Sequence, residues 1–120
     1  MKTLPFPKPF PTKVVGVSFN KRQETVRKVR VGESLSIMRH PTNKTDPYAV
    51  AVVREEGAEK KLVGYVPRYR KTPDGRKKKL AESMSKSIAG GARFRAKVTA
   101  LTGKEEGKTR GLVIEIKRAS

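Results

Sequence analysis

The side chains best suited to chemistry in this sequence are cations, and they are bunched. Arg68, Arg70, Lys71, Arg76, Lys77, Lys78 and Lys79 fall within residues 68–79, opposed there only by Asp74. Such groups displace condensed counterions from phosphates, and a flexible basic loop can follow a phosphate backbone without rigid geometry. The ordinary alternative is a solvated loop that keeps the chain soluble. A second group, Arg93, Arg95 and Lys97, alternates with Phe94, Ala96 and Val98. On a strand that spacing presents cations on one face, about 7 Å apart. An ordinary charged surface would look the same. Phe19, Tyr48, Tyr65 and Tyr69 lie near the basic segments. Aromatic rings stack on unpaired bases for about 1–3 kcal/mol each. For Phe19 and Tyr65 a place in the core is the competing reading, because both fall on expected strands.

One acidic residue stands out among these cations. Asp46, in the loop His40-Pro41-Thr42-Asn43-Lys44-Thr45-Asp46-Pro47-Tyr48, would repel a phosphate. It suits a hydroxyl, such as a sugar 2′-OH or 3′-OH, which needs an acceptor. Alternatively, Asn43 and Asp46 only close the turn. A single carboxylate is too few for metal-dependent phosphoryl chemistry. The absence of cysteine excludes disulfides, zinc ribbons, zinc fingers and thiol catalysis, and His40 is the only histidine. The sequence therefore leads us to expect no catalytic residues, no metal and no cofactor.

The overall charge points the same way. Twenty-nine Lys and Arg against eleven Asp and Glu leave a formal +18 on 120 residues. Self-repulsion at that density favours a polyanionic partner. Nucleic acid comes first, with an anionic membrane surface and an acidic protein behind it. No apolar run approaches the length of a membrane span, and MKTLPFPKPFPTK lacks the apolar stretch of a secretory signal. The expected location is the cytoplasm, on the nucleoid in a prokaryote, or the nucleus in a eukaryote.

The elements that must position these groups are mostly strands. Residues 1–12, with Pro5, Pro7, Pro9 and Pro11 around Phe6, Lys8 and Phe10, read as an extended arm. The arm is either a disordered tail or a docking peptide for a partner's groove. Residues 13–120 read as one domain. KVVGVSF (13–19) is the expected first strand. Asn20 caps a short helix over KRQETVRKV with Val26 and Val29 inward. SLSIMR (34–39), AVAVV (49–53) and KLVGYVP (61–67) follow as strands, the last two as a hairpin. RYRKTPDGRKKK reads as a loop. LAESMSKSIA (80–89) has Leu80, Met84 and Ile88 at helical spacing and stops at Gly90-Gly91. RFRAKVTAL, with Phe94, Ala96, Val98 and Ala100 inward, and GLVIEIK, with Leu112, Ile114 and Ile116 inward, complete the set. Six strands with two short α-helices predict a mostly β protein, a small six-stranded OB-like β-barrel.

Three stretches then resemble a known family. VVGVSF (14–19), SLSIMRHPTNKTDPYAVAVV (34–53) and VGYVPR (63–68) are similar to the HIRAN domain. Arg39, Pro41, Asn43, Asp46, Ala49, Val50 and Val52 keep that family's R-x-P-x-N-x-x-D-x-x-A-[IV]-x-V spacing. The resemblance implies an OB-like barrel that binds DNA and occurs either fused to fork-remodelling translocases or free-standing. It implies capture of the 3′-hydroxyl end of single-stranded DNA, with Phe19 stacking on a base and Asp46 accepting from the terminal hydroxyl. Tyr65 would then lie beside the terminal nucleotide, and Arg68 would contact a phosphate. Asn20, Lys21, Arg22 and Tyr48 belong to the same expected surface. Ser18, Asn20, His40, Thr45 and Tyr48 depart from the family's usual residues, and the extra basic segment favours broad backbone binding. The expected partner is nucleic acid, DNA over RNA, with a helicase, nuclease or larger nucleoprotein complex acting in trans. An RNA-binding or ribonucleoprotein accessory subunit, or a protein-interaction subunit using the Phe-Pro arm, remains the alternative.

Overall fold

A computed structural model describes residues 8–18, 22–40, 46–71, 74–103 and 109–119. The chain runs β1 (Phe10–Lys13), α1 (Arg22–Val26), β2 (Ser34–Arg39), β3 (Val50–Glu56), β4 (Glu59–Tyr65), β5 (Tyr69–Lys71), β6 (Lys77–Lys79), α2 (Ala81–Ala89), β7 (Phe94–Thr102) and β8 (Gly111–Arg118). Six strands form one antiparallel sheet in the order β1-β8-β7-β2-β3-β4, and β5 and β6 form a separate hairpin. The sheet's two edges are tied by a single bridge, where Val15 and Tyr65 exchange backbone hydrogen bonds of 2.8 Å. No ladder joins β1 to β4 among the described residues, where the Val15–Tyr65 bridge is the pairing seen between the two edges.

The strands with clean alternation behave as their pattern dictates. On β8, Leu112, Ile114 and Ile116 are buried. On β7, Phe94, Ala96 and Val98 are buried while Arg95, Lys97 and Thr99, with Arg93 just before the strand, are exposed. Residues 49–53 are buried throughout. Each large apolar side chain removed from water this way contributes about 1.5–3 kcal/mol. The expected inward place of Ala100 is not kept. The β7–β8 register shifts between Val98 and Ala100, leaving Ala100 exposed and turning Leu101 against the core. A bulge adds one residue and so exchanges the faces of the pleat beyond it.

Helix α2 lies over the interior with Ala81, Met84 and Ser85 buried beside Leu80. Glu82 in its first turn and Lys86 in its last oppose the helix dipole. Gly90 donates its N–H to the Lys86 carbonyl at 3.1 Å, and Gly91 takes φ 106°, a conformation that ends the helix and favours glycine. The first helix is shorter than expected, Arg22–Val26; it buries Val26, and Val29, three residues past its end, is buried as well.

Three expectations need correction. The described part of the expected first strand, residues 13–18, is not one continuous strand. Lys13 ends β1, Gly16 has φ 72°, and only Val15 bridges. The true first strand begins inside the proline-rich segment, with Phe10 opposite Ile116 and only 7% exposed. Proline is tolerated there because β1 is an edge strand, where a missing N–H is lost towards solvent rather than from a ladder. Finally, the segment read as a basic loop carries the hairpin β5–β6, which stands beside the expected six-stranded sheet.

Candidate nucleic-acid interface

Asp46 sits where the sequence placed it, near the end of the segment between β2 and β3. Its Oδ1 accepts the Tyr48 backbone N–H at 2.9 Å, closing a turn, and its Oδ2 lies 3.2 Å from the Arg68 Nε. The turn-closing reading of Asp46 is therefore seen in the structure. Arg68, which is more exposed than Asp46, offsets the charge that would otherwise repel a phosphate.

Around this pair is a hollow of about 260 Å³ lined by Asp46, Tyr48, Arg68, Tyr69, Lys79 and Glu82. Tyr48 is 39% exposed and Tyr69 53%, so two aromatic rings stand at its rim with much of their surface in water. The Lys86 ammonium lies 5.6 Å from the Tyr48 ring centroid. Glu82 pairs with Lys79 at 3.5 Å and with Lys86 at 4.0 Å, holding both lysines beside the hollow.

The hairpin gives the basic segment a direction. Tyr69 is opposite Lys79, Arg70 opposite Lys78, and Lys71 opposite Lys77. Strand side chains alternate, so Tyr69, Lys71, Lys77 and Lys79 share one face, and Tyr69 and Lys79 carry that face into the hollow. Arg70 and Lys78 take the other face. The Arg70 guanidinium is 4.6 Å from the Phe10 ring centroid, which anchors the hairpin to β1 and draws Arg70 away from the expected surface. At the turn, Arg76 pairs with Asp74 at 3.5 Å. Lys71, Lys77 and Lys78 form no ion pair among the described residues.

A second cluster stands at the other end of the 40–49 segment. The Tyr65 hydroxyl is 2.9 Å from His40 Nδ1, the two rings are stacked with centroids 6.0 Å apart, and the Arg22 guanidinium lies 5.2 Å from the Tyr65 centroid. Tyr65 is thus a half-buried ring in a polar cluster, neither a core residue nor a free stacking platform. Arg39 donates from Nε to the Ser85 hydroxyl at 3.1 Å. On β7, Lys97 has Glu115 as its cross-strand partner, while Arg95 faces Lys117, a like-charge pair that disfavours the bare surface. Phe19, Asn20, Lys21 and Asn43 lie outside the described residues. Away from this face, Arg54 is held still more firmly in its charged form by hydrogen bonds to Glu33 and then Glu56.

Sequence reasoning assigned no role to His40, Glu82, Ser85 or Lys86. For the α2 residues the signal was present in the helical spacing, since Glu82 and Lys86 stand one turn apart. What could not be read was that this flank of α2 meets the Asp46 turn. Among the described residues no three His, Cys, Asp or Glu side chains gather as metal ligands would. No helix of the described residues is long and apolar enough to cross a membrane.

No curated protein matches the chain in sequence. Among solved structures, the HIRAN domain of human HLTF superposes with a TM-score of 0.62 at 15% identity, covering 92% of this chain and 74% of that one. A protein from Lactobacillus plantarum superposes with a TM-score of 0.55 at 17% identity, covering 92% of this chain and 99% of that one. Both likenesses concern the fold. The HIRAN domain profile matches residues 9–71, more than half of the sequence, including β1 to β4 and the Asp46 turn. The chain is therefore a member of the HIRAN domain family, which is known for DNA-binding modules.

Proposed function

We propose that this chain is a non-catalytic DNA-binding module that prefers single strands, DNA ends or distorted duplex. The observation that carries the reading is the hollow at Asp46, where Tyr48 and Tyr69 flank Arg68 and Lys79. Cations fix the phosphates, and exposed rings stack on bases that only an unpaired strand offers. The hairpin lysines extend the backbone contact. Asp46 takes the 3′-terminal hydroxyl as an acceptor, adding a preference for free ends to an affinity set by charge. The Val15–Tyr65 bridge supports closure of the sheet into an OB-like barrel. In the cell the module works in the cytoplasm, or in the nucleus of a eukaryote, and brings a helicase, nuclease or nucleoprotein complex to the DNA it holds.

The test is binding, by fluorescence anisotropy, of single-stranded DNA, duplex DNA and single-stranded RNA of equal length, each with free and blocked 3′ ends. The reading expects single-stranded DNA with a free 3′ end to bind most tightly. Equal binding of free and blocked ends removes end capture. Tighter binding of RNA than DNA transfers the module to ribonucleoprotein work, and no binding of any nucleic acid ends the proposal.

A further inference from the structure

A second groove, lined by cations, lies beyond the hollow already described. The ladder between β2 and β7 ends at Ser36 and Arg95, whereas β2 continues beside β3 as far as Arg39. The two strands part there, and a groove of about 680 Å³ opens between them, reaching Ile88 at the end of α2. Arg39, Arg54, Arg93 and Arg95 line it against Glu33 and Glu55. Glu33 is spent on Arg54, with contacts of 2.8 and 3.5 Å. Glu55 accepts from the Ser36 hydroxyl at 3.2 Å. Arg93 and Arg95 are exposed and form no ion pair among the described residues. Arg39 is exposed and donates from Nε to Ser85, and a guanidinium carries further N–H donors in a fork suited to phosphate.

The two sites are joined along one flank of α2. At 100° per residue, Glu82, Ser85, Lys86 and Ala89 share that flank. Its Glu82 end lines the Asp46 hollow, Lys86 reaches Tyr48, and Ser85 holds Arg39. From Glu82 to Ile88 the helix rises about 9 Å, at 1.5 Å per residue. Cations therefore follow one another from Lys79 and Arg68 through Lys86 and Arg39 to Arg93 and Arg95. Guanidinium groups match phosphate oxygens bidentately, which favours a phosphodiester backbone over a diffuse acidic surface.

We propose that a single DNA strand seated in the Asp46 hollow continues along the flank of α2 and sets its phosphates on Arg39, Arg93 and Arg95 in the groove between β2 and β7. The inference rests on the reading of the hollow as a single-strand site and adds its path and length. It predicts that short and long strands respond differently to the groove. Oligothymidylates of about five and about twelve nucleotides bracket the reach expected of such a path.

The test compares the parent protein with Arg93→Glu/Arg95→Glu and with the neutral pair Arg93→Gln/Arg95→Gln. Both positions are exposed, and a Glu at 95 faces Lys117 across the strands, so the fold is expected to hold; thermal unfolding checks it. The long strand should lose at least tenfold in affinity in the Glu variant and less in the Gln variant. Its salt slope should fall by about 1.4 for two lost phosphates on a single strand. The short strand should change by less than about twofold. Equal losses for both lengths would overturn the extended path. Unchanged binding of both would remove the groove from the DNA interface and leave it to an acidic protein segment. Failure of the parent to bind even the long strand would instead defeat the reading of the hollow.

Discussion

Phe10 offers the sharpest quantitative check on how the body is built. It lies in a proline-rich segment that looks dispensable, yet it is 7% exposed, pairs across β1–β8 with Ile116, and carries the Arg70 guanidinium 4.6 Å from its ring centroid. Phe→Ala at a buried site costs about 3–5 kcal/mol. An edge strand relaxes more easily than a central one, so the lower end, about 3 kcal/mol, applies to the packing. The cation over the ring adds about 0.5–1 kcal/mol at a partly exposed site. With an unfolding entropy of about 2.1 cal/mol/K per residue over 120 residues, 3 kcal/mol lowers Tm by about 12 °C. Chemical denaturation and calorimetry of Phe10→Ala measure both quantities. Lys8→Ala, at an exposed position two residues earlier, should leave Tm within about 2 °C and serves as the control. A Phe10→Ala protein that loses less than about 1 kcal/mol would show that β1 is not part of the stable sheet.

Other expectations concern binding. Tyr48→Ala and Tyr69→Ala should each weaken single-stranded DNA by about 1–3 kcal/mol while changing duplex affinity little; equal effects on both would refute stacking. Lys77→Glu with Lys78→Glu should reduce affinity for all sequences alike and leave Tm unchanged, because both side chains are exposed on a hairpin. An intact affinity would make the hairpin a solubilising device. Asp46→Asn keeps an acceptor for the Tyr48 N–H but weakens the grip on Arg68 and on a hydroxyl, so preference for a free 3′ end should fall while overall affinity holds; a preference that survives would place end recognition elsewhere. Log affinity for single strands should fall with log salt at a slope near −3.5 for about five neutralised phosphates. A flat response would remove the electrostatic basis of the interface.

What was legible in the sequence was whatever alternation or helical spacing could encode. Leu112, Ile114 and Ile116, the Phe94–Val98 pattern, and Leu80 with Met84 each sit on the side their period required. β1 escaped because Pro9 and Pro11 mask a strand whose only strong apolar signal is Phe10. The Val-rich 13–19 stretch misled because Gly16 turns the backbone where β propensity alone would continue it. The β5–β6 hairpin was invisible because Lys77, Lys78 and Lys79 are all exposed and carry no period at all. In the same way, Asp46 and Arg68 could be named from the sequence, but their contact could not. It brings together the turn before β3 and the residue just before β5. Nor could the parting of β2 from β7 be read, since a sheet's local register is a property of three strands at once.

The most direct test of the central claim is residue by residue. Backbone amide shifts of labelled protein, followed by NMR during titration with single-stranded DNA, report which surface the strand touches. The interface described here predicts the largest changes at Asp46, Tyr48, Arg68, Tyr69 and Lys79, and none at the distant Gly57–Ala58 turn between β3 and β4. Changes centred on that turn, or an unperturbed Tyr48 and Tyr69 under saturating DNA, would contradict it.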